Sequence, residues 1–368
     1  PAVVLPEKGP LSEAIEELDI PVIVEKGLSV ITRGEFGARG VLPFLLKVPG
    51  SAWRLRNIIR KEKIDLVHTN VGVIVASGLA ARWAGVKHVW HIRDWYQEFS
   101  RLWKYYERYI RWSSDRIIAV SKPIAQQFVL RKKVVVINNG VELEEFDVDY
   151  PTLRREFREK HGIPEDAFLV GCVGRIKLVR KGQEVLIDAL GRLRQGGWRF
   201  NLVLVGAPSP GNEDHLATLK EMVEKKRMTE DVIFLGEVNE VRPAYCAMDA
   251  FVLPSCQPEP FGGVVIEAMA MGLPVVATAI GGSLEQVEEG VTGFLVPPGE
   301  DVPLAGRLRQ LYDYPQQTEE MGAAAAARVE KLFQFRDMLS KIEVVYAEAM
   351  REEEVAVKAD KATPIVVA

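Results

Sequence analysis

The chain has 368 residues, 48% of them hydrophobic and 27% charged. That exceeds the ~250–300 residues at which one hydrophobic core stops growing, so two domains are expected, and the composition excludes the disordered, collagen-like and coiled-coil classes. The net charge of −4 argues against a dedicated nucleic-acid binder, yet residues 1–133 hold 22 Lys and Arg against 13 Asp and Glu, so one half is expected to face something anionic.

In chain order, β-branched runs alternate with amphipathic stretches, the pattern of βα units feeding a parallel sheet. After a strand-like start at 2–5, strands are expected at 22–25, 66–69, 86–91, 116–121 and 134–137. Helices are expected at 11–18, 51–61, 72–84, 98–113 and 123–129. On the helix at 98–113, Phe99, Leu102, Trp103, Tyr106 and Ile110 share one side. Arg101, Lys104, Arg108 and Arg111 lie opposite, edged by Tyr105 and Trp112, a cationic face suited to an anionic membrane surface. A second, weaker basic segment of this kind lies at 41–63.

Turn residues Asn138, Asn139 and Gly140 lead into an acidic stretch at 142–151, read as a linker. A second series follows, with strands at 168–173, 202–206, 232–236, 250–254, 274–278 and 293–296. The expected fold is α/β, two tandem doubly wound Rossmann-like domains facing across a cleft, with ligands at the carboxyl ends of the strands. The expected division is 1–150, 151–335, a helix at 336–350 packing back toward the first domain, and a disordered tail at 351–368.

Neither GxGxxG nor GxxxxGK[ST] occurs, which removes the main support for dinucleotide oxidoreductase and P-loop readings. The informative stretch follows the strand ending at Pro254. Glu259, Pro260, Phe261, Gly262 and Gly263 form a tight loop that opens a helix, and backbone N–H groups there, unobstructed by Cβ atoms at the glycines, suit a phosphate. Glu267 follows two turns later. Were both glutamates helical, they would stand ~12 Å apart, too far for a glycosidase carboxylate pair, but suited to holding two ends of a ligand whose middle is a phosphate. Arg175 and Lys181, beside Gly174 and Gly182, form a second cluster, the kind of paired cations that a diphosphate leaving group needs in place of a metal.

These residues resemble the retaining family 4 glycosyltransferases of GT-B fold. The family pattern E-P-F-G-x4-E-A-M-A-x-G-x-P-V-V is matched throughout 259–276. Gly174-Arg175 with Lys181-Gly182 resembles the family's diphosphate-binding Arg and Lys, 137–141 its domain junction, and 281–296 its closing section. The resemblance implies that Glu267 holds the nucleotide ribose, Glu259 a donor-sugar hydroxyl, and Phe261, Gly262 and Gly263 the phosphates through main-chain N–H groups. It also places His91 opposite the donor sugar, with Arg93 and Asp94 as acceptor-side candidates. The family opens with a strand and a Gly-rich loop that touches both substrates, and the first domain is expected to lack both, which implies nucleotide binding without turnover.

The expected activity is therefore transfer of a sugar from a nucleotide-diphosphate sugar to a glycan, lipid-linked or small-molecule acceptor, with retention, in polysaccharide biosynthesis for the cell envelope. No cofactor and no metal are expected, since Asp147 and Asp149 imitate a DxD metal motif in a linker rather than at a strand end. Cys172, Cys246 and Cys256 lack metal-ligand or disulfide spacing, which fits a reducing cytoplasmic setting, with peripheral attachment to the inner membrane face. Two rivals stay open: a sugar-nucleotide epimerase of similar fold, and a catalytically inactive nucleotide-sugar-binding fragment.

Overall fold

The computed structural model describes residues 1–31, 41–96 and 100–360. It divides into two compact units, one of Pro1–Val120, Ile124–Ile137 and Ser340–Ala368, the other of Ser121–Pro123 and Asn138–Leu339. The second unit therefore begins at 138 rather than 151. The segment after 138 is tied into it because the Val141 N–H donates to the Phe333 carbonyl at 2.9 Å and the Phe335 N–H to the Val141 carbonyl at 3.0 Å.

In the first unit, β1 (Val3–Leu5) and β2 (Val22–Val24) pair in parallel around α1 (Pro10–Glu16). A four-stranded parallel sheet runs in sequence order through β3 (Leu66–Thr69), β4 (Lys87–Ile92), β5 (Arg116–Ala119) and β6 (Val134–Val136). Its helices are α2 (Val41–Lys61), α3 (Val75–Ala84), α4 (Ser100–Ser113) and α5 (Lys122–Gln126). Helix α2 is ten residues longer at its start than the 51–61 expected, and runs through Pro49. An interior proline costs a hydrogen bond and ~3 kcal/mol. What offsets that cost is an unbroken buried stripe of Phe44, Val48, Ala52, Leu55 and Ile59 at helical spacing, which proline, lying off the stripe, does not interrupt.

Helix α4 departs from its expected faces. Trp103 and Ile110 are buried, but Leu102 is 37% exposed and Glu107 is 3% exposed. Glu107 is kept inside by partners: it accepts from Arg111 Nε at 2.6 Å and from the Val129 N–H at 3.2 Å. Arg111 thus serves a buried carboxylate rather than a free cationic face. Phe99 lies outside the described residues, as does the side chain of Arg101.

The second unit holds a six-stranded parallel sheet of β7 (Phe168–Val173), β8 (Phe200–Val205), β9 (Val232–Gly236), β10 (Ala250–Leu253), β11 (Val275–Thr278) and β12 (Gly293–Val296). Their order is β12-β11-β10-β7-β8-β9. The chain winds outward from β7 one way, then returns to start the other way at β10, so the topological switch point lies between β7 and β10. Both loops singled out from the sequence leave these two strands. Alternating helices α7 (Gln183–Gln195), α8 (Asp214–Lys225), α9 (Arg242–Ala247), α10 (Gly263–Ala270), α11 (Ser283–Gln286), α12 (Asp301–Asp313) and α13 (Pro315–Leu332) complete the unit.

The stretch expected as a linker is ordered secondary structure: a 3-10 turn at Leu143–Phe146 and then α6 (Tyr150–His161). Pro151 sits in the first turn, where its missing N–H costs nothing, and Asp149 Oδ1 caps the helix by accepting from the Thr152 N–H at 3.3 Å. Arg158, 3% exposed, then anchors α6 by donating to the carbonyls of Ala247, Pro164, Glu165 and Ala167 and to Asp249. At the other end α14 spans Phe335–Asp360, so a helix replaces the expected disorder over 351–360; residues 361–368 lie outside the described residues. The sequence from 335 to 363 contains neither Gly nor Pro and is rich in Glu, Ala and Lys, which sustains a helix.

Candidate functional site

The site in the second unit is built where the loops after β7 and β10 are locked together. Gly182 has φ +69°, and a Cβ there would overlap the Pro254 carbonyl oxygen, so only glycine lets the β7 loop pass beneath the end of β10. The Cys256 N–H then donates to the Arg180 carbonyl at 2.9 Å. From the other side Gly281, at φ +61°, abuts the backbone of Glu259, and the Gly282 N–H donates to the Glu259 carbonyl at 2.8 Å. Thr278 Oγ1 donates to the Ser255 carbonyl at 2.7 Å, fixing the start of the same loop.

Within this clamp Lys181 Nζ meets Glu259 Oε1 at 2.6 Å, and Ser255 Oγ donates to the same oxygen at 2.9 Å. The contact is short and half-buried, a charge-assisted hydrogen bond that holds each partner in a single position. Glu259 lies in the loop ahead of α10, so the helical spacing to Glu267 considered from the sequence does not apply. Arg175 is not drawn into the cluster. Its side chain is exposed and makes no hydrogen bond or ion pair among the described residues, while its carbonyl accepts from Gln183 Nε2 at 3.1 Å.

Helix α10 opens at Gly262 with no side chain capping it. The Gly262 carbonyl accepts the Val265 N–H at 3.0 Å and Gln286 Nε2 at 2.8 Å, which fixes the helix start. Phe261 is 8% exposed and packs edge-on against Phe333, so its side chain braces the loop and only its backbone serves the helix start. A Cβ on Gly263 would stand 3.5 Å from Glu267 Oε1; the Glu267 carboxylate therefore reaches back beside the helix start. Its other oxygen accepts from Tyr245 Oη at 2.9 Å. Burial raises the Glu267 pKa, the Tyr245 hydrogen bond pulls it down, and nearby Glu145 raises it further. Tyr245, fully buried on α9, carried no sequence signal: it reads as one more core aromatic.

In the first unit His91 is the penultimate residue of β4 and is 1% exposed. Its Nε2 is buried with no hydrogen-bond partner among the described residues. Burial, then the Arg93 and His68 charges, push its pKa down to about 3, so it is neutral at ordinary pH. His68, near the end of β3, stands edge-on to it with ring centroids 5.4 Å apart. Arg93 Nε donates to Asn70 Oδ1 at 2.9 Å, and Asp94 Oδ2 accepts from Tyr96 Oη at 3.4 Å.

Asp149 is the cap of α6, and among the described residues no three His, Cys, Asp or Glu side chains come together as a metal site. Cys172 and Cys246 are buried, Cys256 is half-buried, and all three are free thiols. No helix of the described residues is long and apolar enough to cross a membrane.

Comparison with known proteins gives a consistent result. A family model described as Glycosyltransferase Family 4 matches residues 3–145, and one described as Glycosyl transferases group 1 matches residues 154–328. The capsular polysaccharide biosynthesis glycosyltransferase CapM of Staphylococcus aureus is 26% identical over 257 residues, 67% of this chain and 65% of that protein. The D-inositol 3-phosphate glycosyltransferase of Streptomyces griseus is 34% identical over 240 residues, 59% of this chain and 50% of that protein. The chain thus spans from half to 65% of the length of these curated relatives. Among solved structures, Anabaena Alr3699/HepE in complex with UDP and glucose superposes with a TM-score of 0.79 at 26% identity, covering 94% of this chain and 91% of that one.

Proposed function

We propose, from the premise that the chain is a glycosyltransferase of GT-B fold, that it moves a sugar from a nucleotide-diphosphate sugar to a hydroxyl of a glycan or lipid-linked acceptor, with retention and without a metal. The observation that carries this reading is the cluster at the switch point of the second unit. A carboxylate held by Lys181, a second held by Tyr245 and an uncapped helix start meet between β7 and β10, where an α/β sheet binds its ligand.

In this reading Glu267 accepts hydrogen bonds from the ribose hydroxyls. The backbone N–H groups of Phe261, Gly262 and Gly263 hold the diphosphate, with Lys181 and the exposed Arg175 adding charge. Glu259, held by Lys181 and Ser255, receives a donor-sugar hydroxyl; in the first unit, His91 offers its unpaired nitrogen to a substrate sugar. The bond between the anomeric carbon and the phosphate oxygen breaks, and the electron pair leaves with the diphosphate. The acceptor oxygen bonds the anomeric carbon from the same face while its proton passes to the departing phosphate oxygen, so no protein nucleophile is required. Preorganised positive charge on the leaving group is the main catalytic contribution. The epimerase alternative is not favoured, since the two curated relatives named above are glycosyltransferases.

The basic first unit supplies the second partner, an anionic membrane surface. Helix α2 contains no acidic residue and the single acid of α4 is the buried Glu107. Trp53, Trp83 and Trp112 are 57%, 42% and 50% exposed. Trp83 and Trp112 are tied to arginines: Arg56 Nε donates to the Trp83 carbonyl at 3.1 Å, and Arg82 donates to the Trp112 carbonyl while its guanidinium lies 4.3 Å over the Trp112 ring. Exposed tryptophans among arginines suit the headgroup layer of a bilayer.

The transfer reading is tested by incubating the chain with a panel of nucleotide sugars and measuring nucleotide release with and without EDTA. Release from one donor, unaffected by EDTA and reduced ~10²–10³-fold by Arg175→Ala or Lys181→Ala, is expected. Release that stops in EDTA and returns with Mn²⁺, or that survives both substitutions, would overturn it.

A further inference from the structure

The last helix carries a polar group into the first unit that the transfer reading leaves without a task. Tyr346, on α14, places its hydroxyl 2.6 Å from His68 Nδ1, with the two rings edge-on at 5.7 Å. Asn70, two residues further on, accepts from Arg93 Nε at 2.9 Å. On its flank His68 meets the His91 ring, whose Nε2 is the buried nitrogen with no partner among the described residues. The strand register accounts for this juxtaposition. His68 pairs with Val89, so His91, two residues further along β4, lies on the same face of the sheet and one step diagonally away.

We infer that Tyr346 is a positioning residue. Its hydroxyl donates to His68 Nδ1 and so fixes His68 as the Nε2–H tautomer; the ring held in that way braces His91 and its unpaired Nε2. The inference rests on the reading that His91 meets a substrate sugar. Packing alone does not explain the hydrogen bond. Helix α14 is already held by the buried stripe Ile342, Val345 and Ala349 and by the ion pair of Arg116 with Glu348 at 3.4 Å. A phenylalanine would fill the site of Tyr346 equally well, yet the structure aims a hydroxyl at the one imidazole that touches His91. Both imidazoles are neutral, His68 pushed down to about 4 chiefly by burial. A neutral ring has one donor and one acceptor nitrogen, so the partner at each nitrogen decides the tautomer.

The test is a long-range ¹H–¹⁵N correlation spectrum of the histidine rings of the full chain, with kinetics on the same samples. Wild-type His68 is expected as the Nε2–H tautomer. In Tyr346→Phe that tautomer should give way to a mixture and the His91 resonances should move. The kcat should fall by between about 10-fold and 100-fold, the range expected for an ångström-scale misplacement, with KM for the nucleotide sugar unchanged. A wild-type His68 in the Nδ1–H form, spectra unaltered in Tyr346→Phe, or altered spectra with full kcat would each overturn the inference. A wild-type chain with no transfer to any acceptor would sink the transfer reading instead, and the spectra would still decide whether Tyr346 fixes the pair.

Discussion

Tyr245 and Glu267 form the most consequential pair in the second unit, because a carboxylate offered to a ribose must be ionised and correctly turned. Removing the hydroxyl in Tyr245→Phe takes away the interaction that offsets burial, so the Glu267 pKa should rise further. A hydrogen bond to a charged group is worth ~1.5–3 kcal/mol, hence nucleotide affinity should fall by roughly tenfold or more. The pH dependence has a definite sign. Glu267 already sits above its ordinary value, so affinity should be full at neutral pH and decline on acidification earlier than an ordinary carboxylate would dictate, and earlier still in the variant. Titration calorimetry at several pH values checks this; identical profiles for wild type and Tyr245→Phe would show that the hydroxyl plays no part. None of this was visible in the sequence, where Tyr245 stands among Ala244, Cys246 and Ala247 with no motif to mark it. Lys181 and Glu259 were legible as separate charges on separate loops, but their 2.6 Å contact depends on β7 and β10 being neighbours in the sheet, a fact of topology that local pattern does not contain.

At the scale of elements, α2 and α4 carry the membrane proposal, and they also show where periodicity succeeds and fails. The buried stripe of α2 follows the helical repeat through Pro49, so a reader who stops at proline cuts the helix by half. On α4 the repeat identified Trp103 and Ile110 as inward-facing, yet it assigned Leu102 to the core and overlooked Glu107, whose burial depends on Arg111 and on the backbone of Val129. Because Arg111 is occupied, the exposed cations among the described side chains of α4 are Lys104 and Arg108, with Arg56 and Arg82 beside the tryptophans. Each Lys or Arg near an anionic surface contributes ~1 kcal/mol, so Lys104→Glu with Arg108→Glu should cut partitioning onto anionic vesicles by more than tenfold, while Arg111→Gln should instead lower the melting temperature. Co-sedimentation with vesicles of phosphatidylglycerol and of phosphatidylcholine separates these effects. Equal binding to both lipids, or none altered by the double substitution, would leave these side chains an ordinary solvated surface.

Across the whole molecule, the titratable groups are unevenly shared. His68, His88 and His91 all lie in the first unit, pushed down to about 4, about 4 and about 3, chiefly by burial. The unfolded chain takes up protons on these rings below ~6.5 whereas the folded unit does not. Stability is therefore complete above that pH and is lost as pH falls toward 4, at up to ~1.4 kcal/mol per proton per pH unit. In the second unit the pKa of His161 is lowered, by burial and then by the Lys160 charge. Calorimetric melts between pH 7 and 4.5 should show the transition of the first unit falling faster than that of the second; parallel shifts of the two would contradict the buried-histidine account. The two-unit α/β architecture itself was readable, since alternating β-branched runs and amphipathic stretches are local. The division at 138 was not, because it depends on Val141 meeting Phe333 and Phe335 across nearly two hundred residues of chain.

The central claim is that the switch point of the second unit binds a nucleoside diphosphate through Glu267, Lys181 and the start of α10. Isothermal titration of uridine, guanosine and adenosine diphosphates into the wild-type chain and into Lys181→Met and Glu267→Ala tests it without needing an acceptor. One of the three nucleotides should bind in the micromolar range, corresponding to about −8 kcal/mol, and each substitution should weaken that binding at least tenfold. No binding of any diphosphate to the wild-type chain, or binding that both substitutions leave untouched, would contradict it.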